Sequence, residues 1–298
     1  MNEEIQRWAD PAMFEAEPIE KDEEGRLTPR VHLLSATPDP LGAIAAACAM
    51  YEGRVVRDTG EVTDEDRRHY WEQVKKTHLK APLEFVDMHF LLEGVTRAFT
   101  HQLVRQRTAV YAQESLRFAV KENLEEEVPL PPSIQEGTTE AGVWNHAVKR
   151  AGTAYHQLVE RGVPAEDARG LLPHSTTTRV HYKTNLRNLV DHAGNRLCTQ
   201  AQFEWRFVFT GIVQAIRNYE PSPLRDHQMG MRTWQFQLIA DDGLFKPVCY
   251  ALGHCPFTAD FDRGCTIRER VQRGEWDKID DREWLMNPAA ARSDDGRR

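Results

Sequence analysis

Two short stretches in which apolar and polar residues alternate place the strongest constraint on the fold. In EFVDMHFLLEG (84–94), every second residue from Val86 to Leu92 is apolar, so these side chains share one face of an extended backbone. The second stretch, STTTRVHYKT (175–184), also alternates and is rich in β-branched residues. Both stretches are therefore predicted to be strands, and the first should bury one face.

Helical spacing dominates the segments around these strands. Residues 40–53 predict a helix that Gly53 would end, and residues 63–79 predict one capped by Thr63, with early acids and late bases that suit the helix dipole. Apolar spacing and Gly or Pro breaks predict a loop at 128–133 and further helices at 95–107, 138–161, after Pro164, at 185–194 (closed by Gly194) and at 200–220. Helices around a few strands indicate an α+β fold.

The charge of the chain limits the classes of partner. Its 298 residues include 38 basic and 46 acidic side chains, which gives a formal net charge of −8. General binding to nucleic acid requires a basic surface, and no apolar run approaches the roughly 20 residues that span a bilayer. We therefore expect no nucleic-acid partner and no membrane partner, and a local arginine cluster in this acidic chain indicates one small anionic ligand.

The cysteines indicate a reducing compartment. Their number is odd, and residues 1–25 are acidic and lack the apolar core of a signal peptide, so a cytoplasmic protein with free or metal-bound thiols is expected. Four C-terminal residues have side chains that suit Zn²⁺, but the two close pairs of a typical zinc site are missing from Cys249, His254, Cys255 and Cys265. Free thiols are favoured, and no metal site is predicted.

The stretch RQRTAVYAQESLRF (105–118) contains three of the six arginines that could line one pocket. Arg105 and Arg107 are two residues apart, so the chain is expected to leave its helix there and turn. Arg179 lies mid-strand and would need a partner if it faced the core. Guanidinium groups bind phosphate or carboxylate bidentately, at about 1.5–3 kcal/mol per charge-assisted hydrogen bond. From the residues alone, each arginine could equally be solvated or ion-paired, and Ser115 could be an ordinary turn hydroxyl.

Several motifs in this chain resemble, in order, those of the flavin-dependent thymidylate synthases. The spacing from Arg105-Gln106-Arg107 over seven residues to Ser115 is similar to the family signature Arg-His-Arg, seven residues, Ser, and Leu116-Arg117-Phe118 resembles its x-Arg-Tyr. The segment APLEF (81–85) resembles the family's Thr-Pro-Phe-Glu-His. The segment LLPHSTTTRVHYKTNLRNLVDHAGNR (171–196) resembles its Leu-Pro, Thr-Arg and Asn-x-Arg-x-Leu motifs with a terminal Arg.

The resemblance implies a fold and a reaction. The fold would be a mixed α/β homotetramer whose active sites are shared between subunits. In the reaction, bound FAD is reduced by NADPH and accepts a one-carbon unit from methylenetetrahydrofolate, which then passes to C5 of dUMP to give dTMP. The resemblance covers roughly residues 31–240, so we expect an acidic N-terminal arm at 1–30, a synthase-like domain at 31–240 and a cysteine-containing extension at 241–298.

The resemblance also implies roles for individual positions. Arg196 is expected near the pyrimidine ring, where a cation would stabilise negative charge that develops during transfer. Ser115 would hold the nucleotide phosphate rather than attack the ring. The expected substrate-binding positions are Gln102, Gln113, Glu114, Ser115, Leu116, Arg117, Arg179 and Arg196. The expected cofactor-binding positions are Glu84, Arg105, Gln106, Arg107, Thr108, Asn185, Arg187, Asp191 and Gln200.

Several of these positions depart from the family pattern. Gln106 replaces the middle His of the signature, Gln113 replaces a Glu beside the nucleotide, and Gln200 replaces a His. Asp191 replaces an Asn and adds a charge that a dinucleotide phosphate would repel, unless the carboxylate meets ribose hydroxyls or an arginine. Three alternatives therefore stay open: a related enzyme that methylates or hydroxymethylates dCMP or UMP, a nucleotide-binding module without catalysis, and a structural or assembly protein.

Overall fold

The computed structural model describes residues 28–198, 201–220 and 232–252, together with His254 and Pro256. It confirms the predicted α+β class. Four strands form one sheet in the order β1-β2-β4-β3, and their bounds are β1 Arg30–Ala36, β2 Asp87–Thr96, β3 Val110–Gln113 and β4 Thr177–Asn185. The helices within these residues are α1 Pro40–Tyr51, α2 Asp64–Lys76, α3 Arg97–Leu103, α4 Leu124–Glu127, α5 Thr139–Glu160, α6 Ala165–Ala168, α7 Leu186–Arg196, α8 Phe203–Arg217, α9 Thr233–Asp241 and α10 Val248–Leu252.

The described chain divides into two compact units. The first unit contains residues 28–30, Leu92–Arg107 and Tyr111–His181. The second contains Val31–Leu91, Thr108–Val110 and the described residues from Tyr182 onward. Because the boundary between the units falls within all four strands, each strand contributes residues to both units.

In the first unit, the core forms along the long helix α5. Leu124, Val128 and Val148 are buried together, with Trp144 and Leu172 packed against them. Helix α5 also contacts α6 and the 3₁₀ turn Arg169–Leu171. The predicted helix at 138–161, the helix after Pro164 and the loop at 128–133 are all confirmed.

In the second unit, helix α1 lies at the centre of the packing. It contacts α2, α9 and the 3₁₀ turn Ala81–Phe85, while α8 packs against α7 and α9. Small residues allow close approach: a Cβ on Gly211 of α8 would lie 2.8 Å from a methyl group of Val31 in β1. Gly53 follows α1 with φ of 79°, a left-handed conformation that favours glycine, which confirms its predicted role at the helix end.

A buried ion-pair network joins the helices of the second unit. Asp39 accepts a hydrogen bond from the backbone of Gly42 at the start of α1, and its carboxylate binds two nitrogens of Arg67 at 3.1 and 2.6 Å. Gln235 and Arg232 also donate to this carboxylate, at 2.9 and 3.0 Å. Asp39 and Arg67 are both only 5% exposed, so the network replaces the water that these charges would otherwise need.

Most predicted elements are confirmed, but several boundaries differ. The face from Val86 to Leu92 is buried, although β2 begins at Asp87 because residues 81–85 form a 3₁₀ turn. Thr63 caps α2 in a full capping box with Asp66. Gly194 was predicted to end α7, but the helix continues to Arg196; a Cβ on Gly194 would make an ordinary van der Waals contact with Val248 of α10. The segment between Arg107 and Arg117 contains the short strand β3, which was not among the predicted strands.

Some predictions concern residues that are not described. Residues 1–27 of the arm predicted at 1–30, together with Gln200, Cys255 and Cys265, lie outside the described residues, and the division of the chain at residues 30 and 240 stays a prediction. Cys48, Cys198 and Cys249 form no disulfide. Across the described ranges, none of the helices combines the length and apolar character needed to cross a bilayer.

Replacing Arg67 by Met is expected to lower the free energy of unfolding by about 3 kcal/mol, because a buried carboxylate would lose its closest partner. Arg232 and Gln235 remain near Asp39, so we expect the lower end of the usual range for breaking a buried pair. Urea unfolding at neutral pH measures this change. Arg54→Met is the matched control. It breaks the exposed pair between Arg54 and Asp66, a residue on the same helix as Arg67, and should cost less than about 1 kcal/mol. Equal costs for the two variants would contradict a stabilising role of the buried network.

The same network predicts how stability depends on pH. Burial alone would raise the pKa of Asp39, but hydrogen bonds from Arg67 and Gln235 and the charges of Arg67 and Arg232 outweigh it and hold that pKa below its ordinary value of 3.8. The stabilisation is therefore present above pH 3.8 and is lost as the pH falls through the lower, folded-state pKa. The difference in stability between wild type and Arg67→Met should shrink over that acid range.

Candidate active site

The turn that carries Arg105 and Arg107 follows directly on helix α3. The helix ends at Leu103, and backbone bonds from Arg105 to Gln102 (3.3 Å) and from Gln106 to Leu103 (3.1 Å) close a tight turn. The Tyr111 hydroxyl donates to the carbonyls of Leu103 (2.9 Å) and Gln106 (2.8 Å), and burial raises the pKa of Tyr111 to about 12. The predicted exit from the helix is confirmed.

The guanidinium groups of Arg105 and Arg107 are exposed on this fixed turn. Neither side chain forms an ion pair or a side-chain hydrogen bond with another described residue. Gln106 between them is buried, so the turn presents its two cations outward and anchors its middle residue. Two such cations on a restrained backbone can bind an anion without first giving up a partner in the described chain.

The residues predicted to hold the nucleotide begin at the end of β3. The Gln113 amide donates to the Thr100 hydroxyl of α3 at 3.0 Å. The Glu114 backbone N–H donates to the Arg179 carbonyl of β4 at 3.0 Å, and the Glu114 carboxylate accepts from the Thr178 hydroxyl at 3.3 Å. Helix α3, which also carries Gln102, and strands β3 and β4 thus position these side chains within the first unit.

Residues 115–119 form a turn stabilised by Ser115. The Ser115 carbonyl accepts from the N–H groups of Phe118 (3.0 Å) and Ala119 (2.9 Å), and its hydroxyl accepts from the Arg117 N–H at 3.3 Å. Leu116 is buried and anchors the turn. The exposed Arg117 guanidinium lies 3.0 Å from the carboxylate of Glu166 in α6, so an acid that sequence reasoning missed already pairs with it.

Arg179 occupies the mid-strand position at which a partner was predicted. Its guanidinium donates to the Glu93 carboxylate of β2 at 3.0 Å. The Arg179 and Glu93 side chains are 18% and 25% exposed, so the pair is shielded but still accessible. An anion that bound Arg179 would therefore enter a site in which one negative charge is already present.

In the second unit, helix α7 carries Arg187 and Asp191, and Asn185 caps it; all three are predicted to bind the flavin. The Asn185 side-chain oxygen caps the helix by accepting from the Asn188 N–H at 2.9 Å, and the Asn188 amide donates to the Thr108 carbonyl at 3.1 Å. Arg187 donates to Asp191 one turn later at 2.7 Å. Asp191 thus pairs with an arginine. This is one of the two conditions under which an Asp in place of the family's Asn would not repel a dinucleotide phosphate.

Glu84 and the neighbouring Lys80 lie beside this helix. Glu84 is exposed on the 3₁₀ turn Ala81–Phe85, which packs against α7. Lys80 donates to the carbonyls at the end of α2, and burial lowers its pKa, with the charge of Arg187 lowering it further. Lys80 was missed by sequence reasoning, because nothing in the linear chain relates it to Arg187, 107 residues away.

Arg196, the predicted catalytic residue, is at the end of α7. Its guanidinium lies over the Trp205 ring, 4.5 Å from the centroid, and burial lowers the pKa of Arg196. His192, one turn earlier, has a pKa lowered first by burial and then by the Arg196 charge. The ordinary pKa of a guanidinium is so far above neutral pH that Arg196 remains a cation, and an aromatic face holds it.

Most of the predicted residues therefore fall into two groups, one in each unit. The first unit holds Gln102, Arg105, Gln106, Arg107, Gln113, Glu114, Ser115, Leu116, Arg117 and Arg179, and the second holds Glu84, Thr108, Asn185, Arg187, Asp191 and Arg196. Gln200 is outside the described residues. The described His, Cys, Asp and Glu side chains include no group of three or more arranged to hold a metal ion.

A comparison with protein families connects this geometry to an enzyme class. Residues 32–222 match the family Thy1, described as thymidylate synthase complementing protein. The matched segment covers more than half of the 298-residue chain and includes all the predicted site residues. The chain belongs to this family. It is an enzyme of the methyltransferase type, and the resemblance noted in the sequence is confirmed.

Individual relatives agree with this assignment. The chain is 31% identical over 206 residues to the flavin-dependent thymidylate synthase of Geobacter sulfurreducens, an alignment that covers 68% of this chain and 89% of the relative. It is also 31% identical over 254 residues to the enzyme of the same name from Pyrococcus furiosus, with 84% of this chain and 97% of the relative covered.

Solved structures support the fold of the Thy1 family. The UMP/dUMP methylase PolB from Streptomyces cacaoi, bound with 5-Br dUMP, is similar with a TM-score of 0.54 and 20% identity, over 64% of this chain and 90% of that one. The flavin-dependent thymidylate synthase ThyX from Helicobacter pylori, complexed with FAD and dUMP, is similar with a TM-score of 0.52 and 18% identity, over 72% and 98%.

Tyr111→Phe is expected to loosen the turn that carries Arg105 and Arg107. The variant loses the hydroxyl that joins two carbonyls, while the half-buried ring can stay in place, so the global stability should fall by only about 1 kcal/mol. Limited trypsin digestion should then cut faster after Arg105 or Arg107, as read by mass spectrometry. Tyr51→Phe, at an exposed position, is the control. Unchanged cleavage at these two arginines would show that the hydroxyl does not restrain the turn.

Proposed function

We propose that this protein uses FAD and NADPH to transfer a one-carbon unit from methylenetetrahydrofolate to C5 of dUMP, giving dTMP. The observation that carries the proposal is the Thy1 match over residues 32–222, within which the arginines lie at restrained positions. Relatives that are about 31% identical carry the name flavin-dependent thymidylate synthase. The structure of the H. pylori neighbour contains both FAD and dUMP.

The described residues fit a flavin dinucleotide. FAD has a diphosphate that needs cations, and the outward guanidiniums of Arg105 and Arg107 supply two on a backbone restrained by Tyr111. When bound, the flavin supplies the redox chemistry, while these residues orient it and balance its charge. The second unit holds a separate set of expected flavin contacts, in which Arg187 donates to Asp191 at 2.7 Å. Thr108, Asn185 and Glu84 belong to this second set.

The pyrimidine nucleotide would bind to the first group of residues. Its phosphate, with about two negative charges, requires cations, and Arg117 and Arg179 are the candidates within the first unit. Ser115 would donate its hydroxyl hydrogen to a phosphate oxygen while its oxygen continues to accept from the Arg117 N–H. Because the Ser115 hydroxyl accepts from a backbone N–H at 3.3 Å and contacts no general base among the described residues, phosphate binding is favoured over nucleophilic attack.

Arg196 would act on the pyrimidine ring. Attack through C5 moves negative charge onto the ring and its carbonyl oxygens, and a fixed cation nearby stabilises that charge more in the transition state than in the ground state. The Trp205 ring restrains the guanidinium, which lowers the cost of orienting it for this role. Arg196 is thus the residue that we propose as catalytic.

A second substrate is favoured by one feature of the site. Gln113 is a neutral amide that donates to Thr100, at a position where the family pattern has an acid. An amide both donates and accepts, so it is compatible with the ribose hydroxyl of UMP or the amino group of dCMP. The PolB neighbour is named a UMP/dUMP methylase. Methylation or hydroxymethylation of UMP or dCMP is therefore the second candidate.

We further propose that the enzyme is a cytoplasmic homotetramer with active sites shared between subunits, which is the assembly implied by the family resemblance. Size-exclusion chromatography with light scattering tests the mass of the assembly. A nucleotide-binding module without flavin chemistry is the alternative class, and the following experiment separates it from the enzyme.

The purified protein is expected to be yellow, with flavin absorbance near 450 nm that NADPH bleaches under anaerobic conditions. With methylenetetrahydrofolate present, NADPH oxidation should accelerate on addition of one pyrimidine nucleotide among dUMP, UMP and dCMP, with a methylated nucleotide as product. The identity of that nucleotide decides between the two substrates proposed above. Nucleotide binding by a flavin-free protein that cannot be reconstituted with FAD would reject the enzymatic proposal in favour of a binding module.

Glu166→Gln is expected to tighten binding of dUMP. Glu166 pairs with Arg117, and both side chains are about half exposed, so a ligand phosphate must displace a weak ion pair. Such pairs contribute about 0.2–1 kcal/mol, which corresponds to a decrease in Kd of up to about fivefold. Calorimetric titration with dUMP measures the change, and Glu160→Gln, an exposed acid at the end of α5, is the control. An unchanged or weaker affinity would show that Arg117 does not bind the phosphate.

A further inference from the structure

A buried lysine lies at the base of the turn that holds Ser115 and Arg117. The Lys121 side chain is 1% exposed, and its ammonium group lies 3.0 Å from the Glu114 carboxylate and 2.6 Å from the Glu127 carboxylate. Lys, among all residues, is rarely buried unless it is paired. Nothing in the family motifs singles out Lys121, and the fold brings it back to the residue that precedes Ser115.

The contact with Glu114 closes the segment 114–121 into a ring. At one end, the Glu114 backbone is bonded to β4 through the Arg179 carbonyl, and its carboxylate accepts from Thr178 and Lys121. At the other end, Lys121 is fixed by Glu127 in α4, whose carbonyl in turn accepts from the Thr177 hydroxyl at 2.8 Å. Ser115 and Arg117 therefore lie on a short loop whose two ends are joined by a shielded ion pair.

The Lys121 ammonium offsets the negative charges of two carboxylates, those of Glu114 and Glu127. Glu114 and Glu127 are 12% and 16% exposed, so two largely desolvated carboxylates share one cation. Burial raises the pKa of Glu127, and the nearby Glu114 charge adds to that rise, although the Lys121 ammonium opposes it. If the ammonium were removed, the Glu114 carboxylate would be driven out toward water, and the adjacent Ser115 and Arg117 would move with it.

We infer that Lys121 is a positioning residue for nucleotide binding: by holding Glu114, it sets the geometry of the loop with which Ser115 and Arg117 bind the phosphate. Lys121 is too deeply buried to touch the nucleotide itself. The inference rests on the proposed function, since it concerns the affinity for the nucleotide of that reaction. Lys121 would control nucleotide binding indirectly, through its ion pair with Glu114.

The test compares Lys121→Met with wild type. Methionine keeps the apolar stem and removes the charge. A single charge-assisted contact changes affinity by roughly tenfold to a hundredfold, so we expect the Kd for dUMP to rise at least about tenfold. The KM for dUMP should rise equally, while kcat at saturating dUMP and the flavin content stay within about twofold, because neither flavin nor ring contacts involve this loop. Lys149→Met, an exposed lysine of α5, is the matched control and should change none of these values.

Two further variants separate positioning from general support of the fold. Glu114→Gln removes the ion pair with Lys121 that closes the loop, and Glu127→Gln removes the second ion pair of Lys121. Both remove one partner of the same buried lysine, so a purely structural role predicts similar losses in dUMP affinity. We expect about a tenfold rise in Kd for Glu114→Gln and less than threefold for Glu127→Gln. If Lys121→Met does not fold, the comparison of Glu114→Gln with Glu127→Gln serves as the test.

The outcomes distinguish this inference from the proposed function. Wild-type protein that binds neither FAD nor any of dUMP, UMP and dCMP would reject the proposed function. Wild type that binds dUMP, together with a folded Lys121→Met of unchanged Kd, would overturn the positioning role alone. Equal effects of Glu114→Gln and Glu127→Gln, or a loss confined to kcat, would also overturn it.

Discussion

The pairing of shielded cations with the protein's own acids is the constraint on which the candidate site depends. In the first unit, the shielded Arg179 binds Glu93, and the buried Lys121 binds Glu114 and Glu127, while Arg117 forms a half-exposed pair with Glu166. Desolvated charges require such partners, so the acids fix the positions of the cations before any ligand arrives. They also lower the local positive potential, and a weakly charged ligand would gain little by displacing them. A phosphate, with more charge than one carboxylate, is the type of ligand that can compete.

The arginines predicted to bind ligands differ in whether an acid of the described chain pairs with them. Arg105 and Arg107 project from a restrained turn and have no side-chain partner among the described residues, so a ligand meets them with their charge intact. Arg117 and Arg187 are each held by one acid, which orients the guanidinium and reduces its attraction. Unpaired cations keep their full attraction for a cofactor that must stay bound through many turnovers, which is consistent with the proposed assignment of Arg105 and Arg107 to the flavin. Pairing alone does not separate cofactor positions from substrate positions, since Arg187, also proposed for the flavin, is paired with Asp191.

Local patterns predicted the elements well, because their causes lie within a few residues. The period of two in 84–94 gave the buried face of β2, and Thr63 with Asp66 gave the start of α2. Strand β3 was missed, since four residues between a turn and a loop provide no measurable period. Gly194 was misjudged as a helix end because a glycine within a helix has the same letter as one that adopts a left-handed conformation after it; here the helix runs two residues further, to Arg196.

The partners of the site residues could not be predicted, because they are tertiary contacts. Glu93 is 86 residues from Arg179, and Glu166 is 49 from Arg117, so no spacing rule relates them. Asp191 shows how much such a contact changes the interpretation of a substitution. Taken alone, the added carboxylate would repel a dinucleotide phosphate; in the fold, it lies 2.7 Å from Arg187 and makes a neutral pair with it. A departure from a family motif at a charged position therefore changes the net charge of a pair, and its effect on a ligand depends on the partner as much as on the residue.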